Sequence, residues 1–317
     1  MPAISPLPAA QPPLTSTIVI CTRDRPSEFR RAIASVLHAA YGSHRVLVVD
    51  QSKGPETAAI VHALSAGEPQ LRYVRSDRTG LSVARNLAMS EVDSELVLFT
   101  DDDCEVAFDW AENMIAPFSV DAAVGLAFGN VVPAPCDPRD GFIVGYIVRT
   151  DARLTGRVAK CRDGGIGANM AVRTSVVRAL GGFDEVLGAG GYFPSCEDWD
   201  FAYRVLKGGY AIRQIANSSV LHHGIRDWAA GATLPRQTYM SIGAAYFKHV
   251  RCGDIVALVV LAQQFALSLW EIVRNVAKRR SPVGLGRLVY LGWGIVRSYE
   301  KKVDRQSGRY TRGGVQD

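Results

Sequence analysis

The chain has 317 residues, of which 48% are hydrophobic and 21% charged, a composition that excludes a disordered protein and allows one large α/β domain or two small ones. Its net charge of +5 is concentrated near the C-terminus, where eleven Lys/Arg stand against two Asp/Glu from Arg274 to Arg312. The rest of the chain has no basic patch interleaved with aromatic residues, which argues against nucleic-acid binding.

Two features of the sequence predict a cytoplasmic protein. The six cysteines form no C-x-x-C pair and have no histidine at zinc-ligand spacing, which is typical of reduced thiols. Residues 1–15 are rich in Pro and Ala and lack the charged start and apolar segment of a signal peptide, so we expect a disordered leader.

Strand-like and helix-like segments then alternate along the chain. Short apolar runs predict strands, and apolar residues at helical spacing predict helices between them. The predicted strands are 17–21, 45–50, 71–75 and 96–100, and the predicted helices are 28–39, 56–66 and 83–89. This alternation favours a mostly parallel, doubly wound sheet flanked by helices, in which ligands bind beyond the carboxyl ends of the strands.

The fourth predicted strand ends on three consecutive carboxylates, Asp101, Asp102 and Asp103. Their mutual repulsion favours a bound cation, and Mg²⁺ or Mn²⁺ prefers carboxylate oxygens. If the chain stays extended here, Asp101 and Asp103 lie on one side and Asp102 on the other. Taken alone, the cluster also fits a solvated turn or a helix N-cap.

Two further segments carry candidate ligand-binding residues. Gly80 permits a sharp turn before a helix with Arg85 near its start, and such a helix end with a guanidinium suits a diphosphate or a nucleobase. An amphipathic helix whose Arg faces solvent is the alternative. The Gly-rich bend 164–168 precedes Asn169, whose amide is a candidate hydrogen-bonding group beside a substrate.

Acidic and histidine residues mark a second group of candidates. Glu197 and Asp198 begin a predicted helix that runs to residue 206. One explanation for acidic residues at this position is their favourable interaction with the helix dipole. The neighbouring Trp199 favours a pocket instead. His222 and His223 end a predicted strand, and either could ligate a metal ion.

The order and spacing of these motifs over residues 17–224 resemble those of the family-2 inverting glycosyltransferases of the GT-A fold. The matching motifs are Cys21-Thr22-Arg23-Asp24-Arg25, Asp50, Gly80, Ala84-Arg85-Asn86, Asp101-Asp102-Asp103, Gly167-Ala168-Asn169, Gly182-Phe183-Asp184, Glu197-Asp198 and His222. Each motif is weak alone, and their common order makes the resemblance specific.

The resemblance implies that a nucleotide-diphosphate sugar binds at the strand ends. Its base and ribose would contact Thr22, Arg23, Asp50 and Arg85, with Asp102 near the ribose or sugar and Gly80 and Asn169 as further donor-site residues. Asp101, Asp103 and His222, or else His223, would bind Mn²⁺ or Mg²⁺. Asp198 would be the general base, and Glu197 would orient it or the acceptor.

The resemblance also implies the reaction, which is an inverting, metal-dependent transfer of a sugar to an acceptor hydroxyl in glycan, polysaccharide or glycolipid assembly. No Gln-x-x-Arg-Trp motif follows the predicted base, so we expect single additions to a saccharide or lipid-linked acceptor. One alternative is a sugar-nucleotide nucleotidyltransferase, although residues 22–26 lack the glycine-rich loop that this class normally has. A non-catalytic sugar-nucleotide binding protein is the other alternative.

The C-terminal part is expected to be a helical extension, 231–306, that follows a catalytic domain, 16–230, and precedes a flexible basic tail, 307–317. Residues 255–273 are apolar but interrupted by polar side chains, so a membrane span is borderline. The apolar helices with flanking basic residues predict a peripheral anchor at the cytoplasmic face of a membrane. A helical subdomain that covers the sheet or forms a dimer is the alternative.

Overall fold

The computed structural model describes residues 14–40, 44–161, 164–279, 281 and 284–311. Most of the predicted leader 1–15 and the second half of the predicted tail 307–317 lie outside these residues.

The first part of the chain alternates strands and helices as the sequence predicts. Its elements are β1 (Ser16–Thr22), α1 (Pro26–Ala39), β2 (Arg45–Asp50), α2 (Glu56–Ser65), β3 (Leu71–Arg75), α3 (Leu81–Glu91) and β4 (Leu96–Asp101). Helix α1 starts two residues earlier than predicted because Pro26 suits a first helical turn. Helix α3 also starts early, directly after Gly80, whose φ of 120° makes the sharp turn that the sequence predicts.

The remaining elements are less regular in the sequence. They are β5 (Cys104–Val106), α4 (Trp110–Val120), β6 (Val124–Pro133), β7 (Phe142–Ile143), β8 (Ala152–Leu154), a 3₁₀ helix (Arg157–Cys161), β9 (Asn169–Arg173), α5 (Thr174–Ala179), α6 (Glu197–Lys207), β10 (Ala211–His222), β11 (Ile225–Arg226), α7 (Trp228–Arg251), α8 (Ile255–Ala277), α9 (Gly284–Ser298), β12 (Val303–Asp304) and β13 (Arg309–Tyr310).

The central sheet has the strand order β3-β2-β1-β4-β9-β6-β10-β5, with β8 paired to β10. Strands β1 to β4 are parallel, whereas β9 runs antiparallel to both β4 and β6, so the sheet is mixed. The register places Thr22 opposite Asp50 and Cys21 opposite Asp101. The carboxyl ends of β1, β2 and β4 therefore lie side by side at one edge, where ligands bind in such sheets.

Side chains alternate between the two faces of the sheet and build a core on each. On β1, Ile18 and Ile20 pack with α1, α2 and α4, whereas Val19 packs with α3, α5 and α6. A third core joins α7, α8 and α9 to α6 and the loop before it, through residues such as Phe193 and Tyr203. The C-terminal helices are therefore part of the same packed body as the sheet.

The described part of the predicted tail, 307–311, contacts the third core. Tyr310 is buried, its backbone N–H donates to Asp184 at 2.8 Å, and its hydroxyl donates to the carbonyl oxygen of Ala244 at 2.8 Å. The aromatic side chain of Tyr310 belongs to this core.

Candidate active site

A cavity of about 560 Å³ opens at the carboxyl ends of β1 and β4. The strand ends and the loop after β1 form one wall, and the segment from Pro194 to Trp199 forms the opposite wall together with α7. Of the residues predicted from the sequence, those that line it are Thr22, Arg23, Gly80, Asp101, Asp102, Asp103, Glu197, Asp198 and His222.

The three consecutive aspartates have different partners. Asp102 accepts hydrogen bonds from the Thr22 hydroxyl at 2.8 Å and from Arg25 at 3.0 Å, and burial raises its pKa to about 7. Asp103 lies 2.8 Å from Arg25 and 3.4 Å from His222. Burial opposes ionisation of Asp103, but its bonds to His222 and Arg25 prevail and lower its pKa. Asp101 has Arg85 at 3.8 Å, and burial raises its pKa.

His222, rather than His223, is the histidine that the structure brings to the aspartates. Its Nδ1 donates to the carbonyl oxygen of Val144 at 2.7 Å, which directs Nε2 towards Asp103. His223 lies 2.7 Å from Glu105 and is absent from the cavity lining. A histidine that ligates a metal ion through one ring nitrogen usually donates its other ring N–H to a carbonyl or carboxylate oxygen, as Nδ1 of His222 does to Val144.

The donor chemistry of this cluster suits a hard divalent cation. Ligand atoms of Asp103, Cys104 and His222 lie within 4.8 Å of one another. Burial raises the pKa of the Cys104 thiol, and a thiolate is a soft ligand that suits Mn²⁺ or Mg²⁺ less well than carboxylate oxygens do. Asp101 lies outside this group but is near enough to interact electrostatically with Asp103 and His222, so its carboxylate, that of Asp103 and the imidazole of His222 would suit Mn²⁺ or Mg²⁺.

Glu197 and Asp198 form the first turn of α6 on the opposite wall. Asp198 accepts hydrogen bonds from the backbone N–H groups of Gly167 and Trp199, at 2.9 and 2.8 Å. These bonds fix the carboxylate and leave further lone pairs on its oxygens for an acceptor. Burial raises the pKa of Glu197 to about 7, helped by the charge of Asp198 and opposed by Arg85 at 3.0 Å.

Three residues predicted to bind the donor are not in the cavity lining. Arg85 is buried between the rings of Phe99 and Phe183, at 5.6 and 5.5 Å from their centroids. Its guanidinium reaches Glu197 on one wall and Asp101 on the other. Arg85 therefore positions the two acidic groups from behind the site.

Asp50 and Asn169 are likewise buried behind the site. Asp50 accepts hydrogen bonds from the Ser52 backbone N–H at 2.7 Å and from the Tyr73 hydroxyl at 2.8 Å. Asn169 accepts from the Trp110 indole at 2.9 Å and donates to the carbonyl oxygen of Asn130 at 2.9 Å. Its amide therefore joins elements of the core and does not line the cavity.

Other residues of the site are missed by sequence reasoning. Arg25 bridges Asp102 and Asp103, Gln51 takes the place at the cavity wall expected for Asp50, and α7 contributes Leu234 and Thr238. Arg25 could have been found from its position in the loop after β1. The sequence around Leu234 and Thr238 does not indicate that they line the site, because their position there depends on how α7 packs against the rest of the protein.

Comparisons with known proteins find similarity to glycosyltransferases. Residues 17–142 match the model of the family described as Glycosyl transferase family 2. The chain is 26% identical over 290 residues to the pre-mycofactocin glycosyltransferase of Mycobacterium tuberculosis (strain H37Rv). This alignment covers 87% of this chain and 54% of that protein. The chain thus spans about half the length of this relative.

Two solved structures have a similar fold. The mannosyltransferase PcManGT of Pyrobaculum calidifontis, in complex with GDP-Man and Mn²⁺, aligns with a TM-score of 0.62 at 17% identity, over 92% of this chain and 89% of its own. Residues 1–349 of TarS from S. aureus, in complex with UDP-GlcNAc, align with a TM-score of 0.56 at 16% identity, over 74% of this chain and 66% of theirs. These similarities show a common fold.

Proposed function

We propose that this chain, whose residues 17–142 match the model of glycosyl transferase family 2 and whose fold resembles that of solved glycosyltransferases, is a non-processive, inverting glycosyltransferase that uses a nucleotide-diphosphate sugar and a divalent metal ion. One observation carries this proposal. Asp101, Asp103 and His222 line one wall of a single cavity, and the fixed carboxylate of Asp198 lines the other. A cation site that faces a base suits the transfer of a sugar, because the cation can stabilise a diphosphate leaving group while the base takes a proton from an acceptor hydroxyl.

The donor is assigned to the wall formed by the strand ends. PcManGT is complexed with GDP-Man and TarS with UDP-GlcNAc, which supports a nucleoside diphosphate sugar without deciding the base or the sugar. Thr22, Arg23 and Gln51 would contact the nucleotide, and Gly80 lines the same side of the cavity. Mn²⁺ or Mg²⁺, when bound by Asp101, Asp103 and His222, supplies positive charge that stabilises the departing diphosphate.

Asp198 is assigned as the general base. In a single displacement, its carboxylate takes the proton of the acceptor hydroxyl while the hydroxyl oxygen bonds to the anomeric carbon and the bond to the diphosphate breaks. The anomeric configuration inverts, and no covalent enzyme intermediate forms. Glu197, held by Arg85, orients the acceptor beside this base.

The acceptor is assigned to the α7 side of the cavity, a saccharide or a lipid-linked molecule. Trp199 offers an aromatic surface for a sugar ring, and Leu234 and Thr238 continue this wall. The six cysteines are all free, which fits a cytoplasmic enzyme.

A thermal-shift screen tests the donor assignment. UDP, GDP and their diphosphate sugars are expected to raise the melting temperature in the presence of Mn²⁺ and to lose most of this effect in EDTA. Transfer or slow donor hydrolysis, followed by ¹H NMR of the anomeric proton, should show inversion. Stabilisation by nucleoside triphosphates alone, with pyrophosphate release, would instead indicate a nucleotidyltransferase. Absence of any nucleotide effect would refute the proposal.

A further inference from the structure

The exposed apolar side chains of this protein are concentrated on two helices. Among the described residues, twelve of the nineteen exposed large hydrophobic residues belong to α8 or α9. A soluble surface normally scatters such residues singly, and a large contiguous group marks an interaction surface. We call this group the α8–α9 apolar face; it consists of Ile255, Leu258, Val259, Leu267, Leu269, Trp270, Val273, Val276, Leu285, Val289, Trp293 and Val296.

Both helices expose an apolar side, while their other side packs against the rest of the protein. On α8, the exposed apolar side chains recur every three or four residues from Ile255 to Val276, and no charged residue occurs from 255 to 270. The opposite side of α8, including Val260 and Leu261, is buried in the third core. On α9, Gly294 allows close packing on the backbone of α7, which leaves Trp293 and Val296 outside.

Helix α8 is long and apolar enough to cross a membrane. Its contacts, however, attach it lengthwise to the protein. Asp254 caps its start and pairs with Arg157 at 2.8 Å and Lys207 at 3.1 Å, and Gln263 donates to the carbonyl oxygen of Cys161 at 2.8 Å. A spanning orientation would break these contacts, so α8 is suited to lie in the plane of a membrane surface.

The charges beside the face select its partner. Exposed Arg274, Lys278 and Arg279 follow the apolar stripe of α8. A groove of about 270 Å³ beside them is lined by Arg274, by Trp270 and by Arg287, which pairs with Glu271. A second copy of the chain would bring an equal excess of positive charge, which opposes self-association through this region. An anionic lipid surface supplies the complementary charge and an apolar interior for Trp270 and Trp293.

We propose that the α8–α9 apolar face docks in-plane on a bilayer that contains anionic lipid. The docking surface is also connected to the proposed active site, because one stretch of α7 contributes Leu234 and Thr238 to the cavity and Tyr239 to the groove. If the proposed function holds, an acceptor carried by a lipid would reach the cavity from this side. The docking itself does not depend on glycosyl transfer.

Co-sedimentation of the full chain with vesicles tests the proposal. Binding is expected to vesicles of phosphatidylcholine with 30% phosphatidylglycerol and to be at least about thirtyfold weaker on phosphatidylcholine alone, since each basic residue near an anionic surface adds to binding. The pair Trp270→Ser and Val273→Ser should bind at least about tenfold more weakly. The pair Lys278→Gln and Arg279→Gln should lose about thirtyfold, because two surface charges are removed.

Matched controls distinguish binding through the α8–α9 apolar face from non-specific binding by other exposed apolar side chains. Phe108→Ser and Val120→Ser remove exposed apolar side chains elsewhere, and this variant should bind like the wild type. Equal vesicle binding by the Trp270 and Val273 variant would overturn the proposal. The proposal would also be overturned if light scattering showed that the wild type is a dimer that does not bind vesicles and that this variant is a monomer. Resistance of the bound protein to extraction at pH 11 would overturn the in-plane orientation.

The nucleotide thermal shift, measured on the same samples, keeps the two proposals apart. Lost vesicle binding with an intact Mn²⁺-dependent nucleotide shift contradicts the docking alone. Vesicle binding without any nucleotide shift supports the docking and contradicts the proposed function.

Discussion

Gly224 allows Asp103 and His222 to approach each other at the proposed metal site. A Cβ at this position would lie 2.5 Å from Asp103 Oδ2 and 2.6 Å from His222 Nε2, closer than such atoms can approach. We expect Gly224→Ala to displace both groups and to weaken Mn²⁺ binding at least about tenfold, as loss of ligand orientation does at other metal sites. Free Mn²⁺ measured by electron paramagnetic resonance reports this directly.

The matched control for that substitution is Gly292→Ala, because a Cβ there has no neighbour within 4 Å. This variant should bind Mn²⁺ like the wild type. Wild-type Mn²⁺ affinity in Gly224→Ala, with an unchanged fold by circular dichroism, would contradict the placement of the metal ion between Asp103 and His222.

Asp198 is the residue on which the proposed chemistry depends. Asn in its place keeps one oxygen that can accept a backbone N–H but cannot take a proton from the acceptor. We expect Asp198→Asn to retain Mn²⁺-dependent nucleotide binding and to lose about 10²- to 10⁴-fold in transfer rate. Nucleotide binding is measured by thermal shift, and transfer by product formation at saturating donor. A transfer rate within threefold of the wild type would exclude Asp198 as the base.

Among the strands and helices, those whose pattern is contained in a short segment of sequence are predicted correctly. The strands and helices up to Asp101 follow from apolar periodicity, and the carboxylates that end β4 lie at the sheet edge where the parallel arrangement puts them. The antiparallel insertion of β9 between β4 and β6 was not predictable, because strand pairing depends on contacts between distant segments. For the same reason, periodicity cannot tell that Arg85 and Asn169 point into the core.

A buried charge network joins α6 to α7. Lys248 of α7 pairs with Asp184 and lies 2.8 Å from Asp200 of α6, and all three side chains are inaccessible to solvent. Removing the cation would leave two buried carboxylates without it, so Lys248→Met is expected to lower the free energy of unfolding by about 3–5 kcal/mol. Urea unfolding at pH 7 measures this, with exposed Lys302→Met as the control. A loss below about 1 kcal/mol would show that the network contributes little.

The same network makes stability depend on pH. Burial opposes the ionisation of Asp200, but Lys248, Arg204 and His249 prevail and hold its pKa below the unfolded value of about 3.9. Its contribution to stability is therefore complete above about pH 5 and is lost as the pH falls. Burial also lowers the pKa of His249, so protonation below about pH 6.5 favours unfolding in the same direction.

The raised pKa values of Asp101, Asp102 and Glu197 act on stability in the opposite direction, so the network is tested by the difference in urea midpoint between the wild type and Lys248→Met. This difference should narrow as the pH falls from about 5 to 4, because the pKa of Asp200 in Lys248→Met lies closer to its unfolded value. A difference that stays constant over this range would contradict the assignment of these charges.

At the scale of the whole molecule, the sequence suggests a catalytic domain that ends at residue 230, followed by a separable extension. The third core argues against separability. Phe193 and Tyr203, which flank the proposed base, are buried together with side chains from α7 and α8. Lys248 of the extension pairs with Asp184 and Asp200, and Tyr310 of the predicted tail donates to Asp184. The wall of the cavity that carries Glu197 and Asp198 is therefore supported from behind by the C-terminal helices.

A chain that ends at residue 230 tests this dependence. Its truncation would expose the third core and leave Asp184 and Asp200 buried without Lys248, so we expect aggregation or the loss of a cooperative thermal transition. A chain that ends at residue 311 retains every contact described for Tyr310 and should melt like the full chain, with an equal nucleotide shift. If the shorter chain is soluble, melts cooperatively and binds nucleotide with Mn²⁺ as the full chain does, residues 16–230 are an independent catalytic domain. The α7–α9 helices would then serve the membrane surface and not the active-site wall.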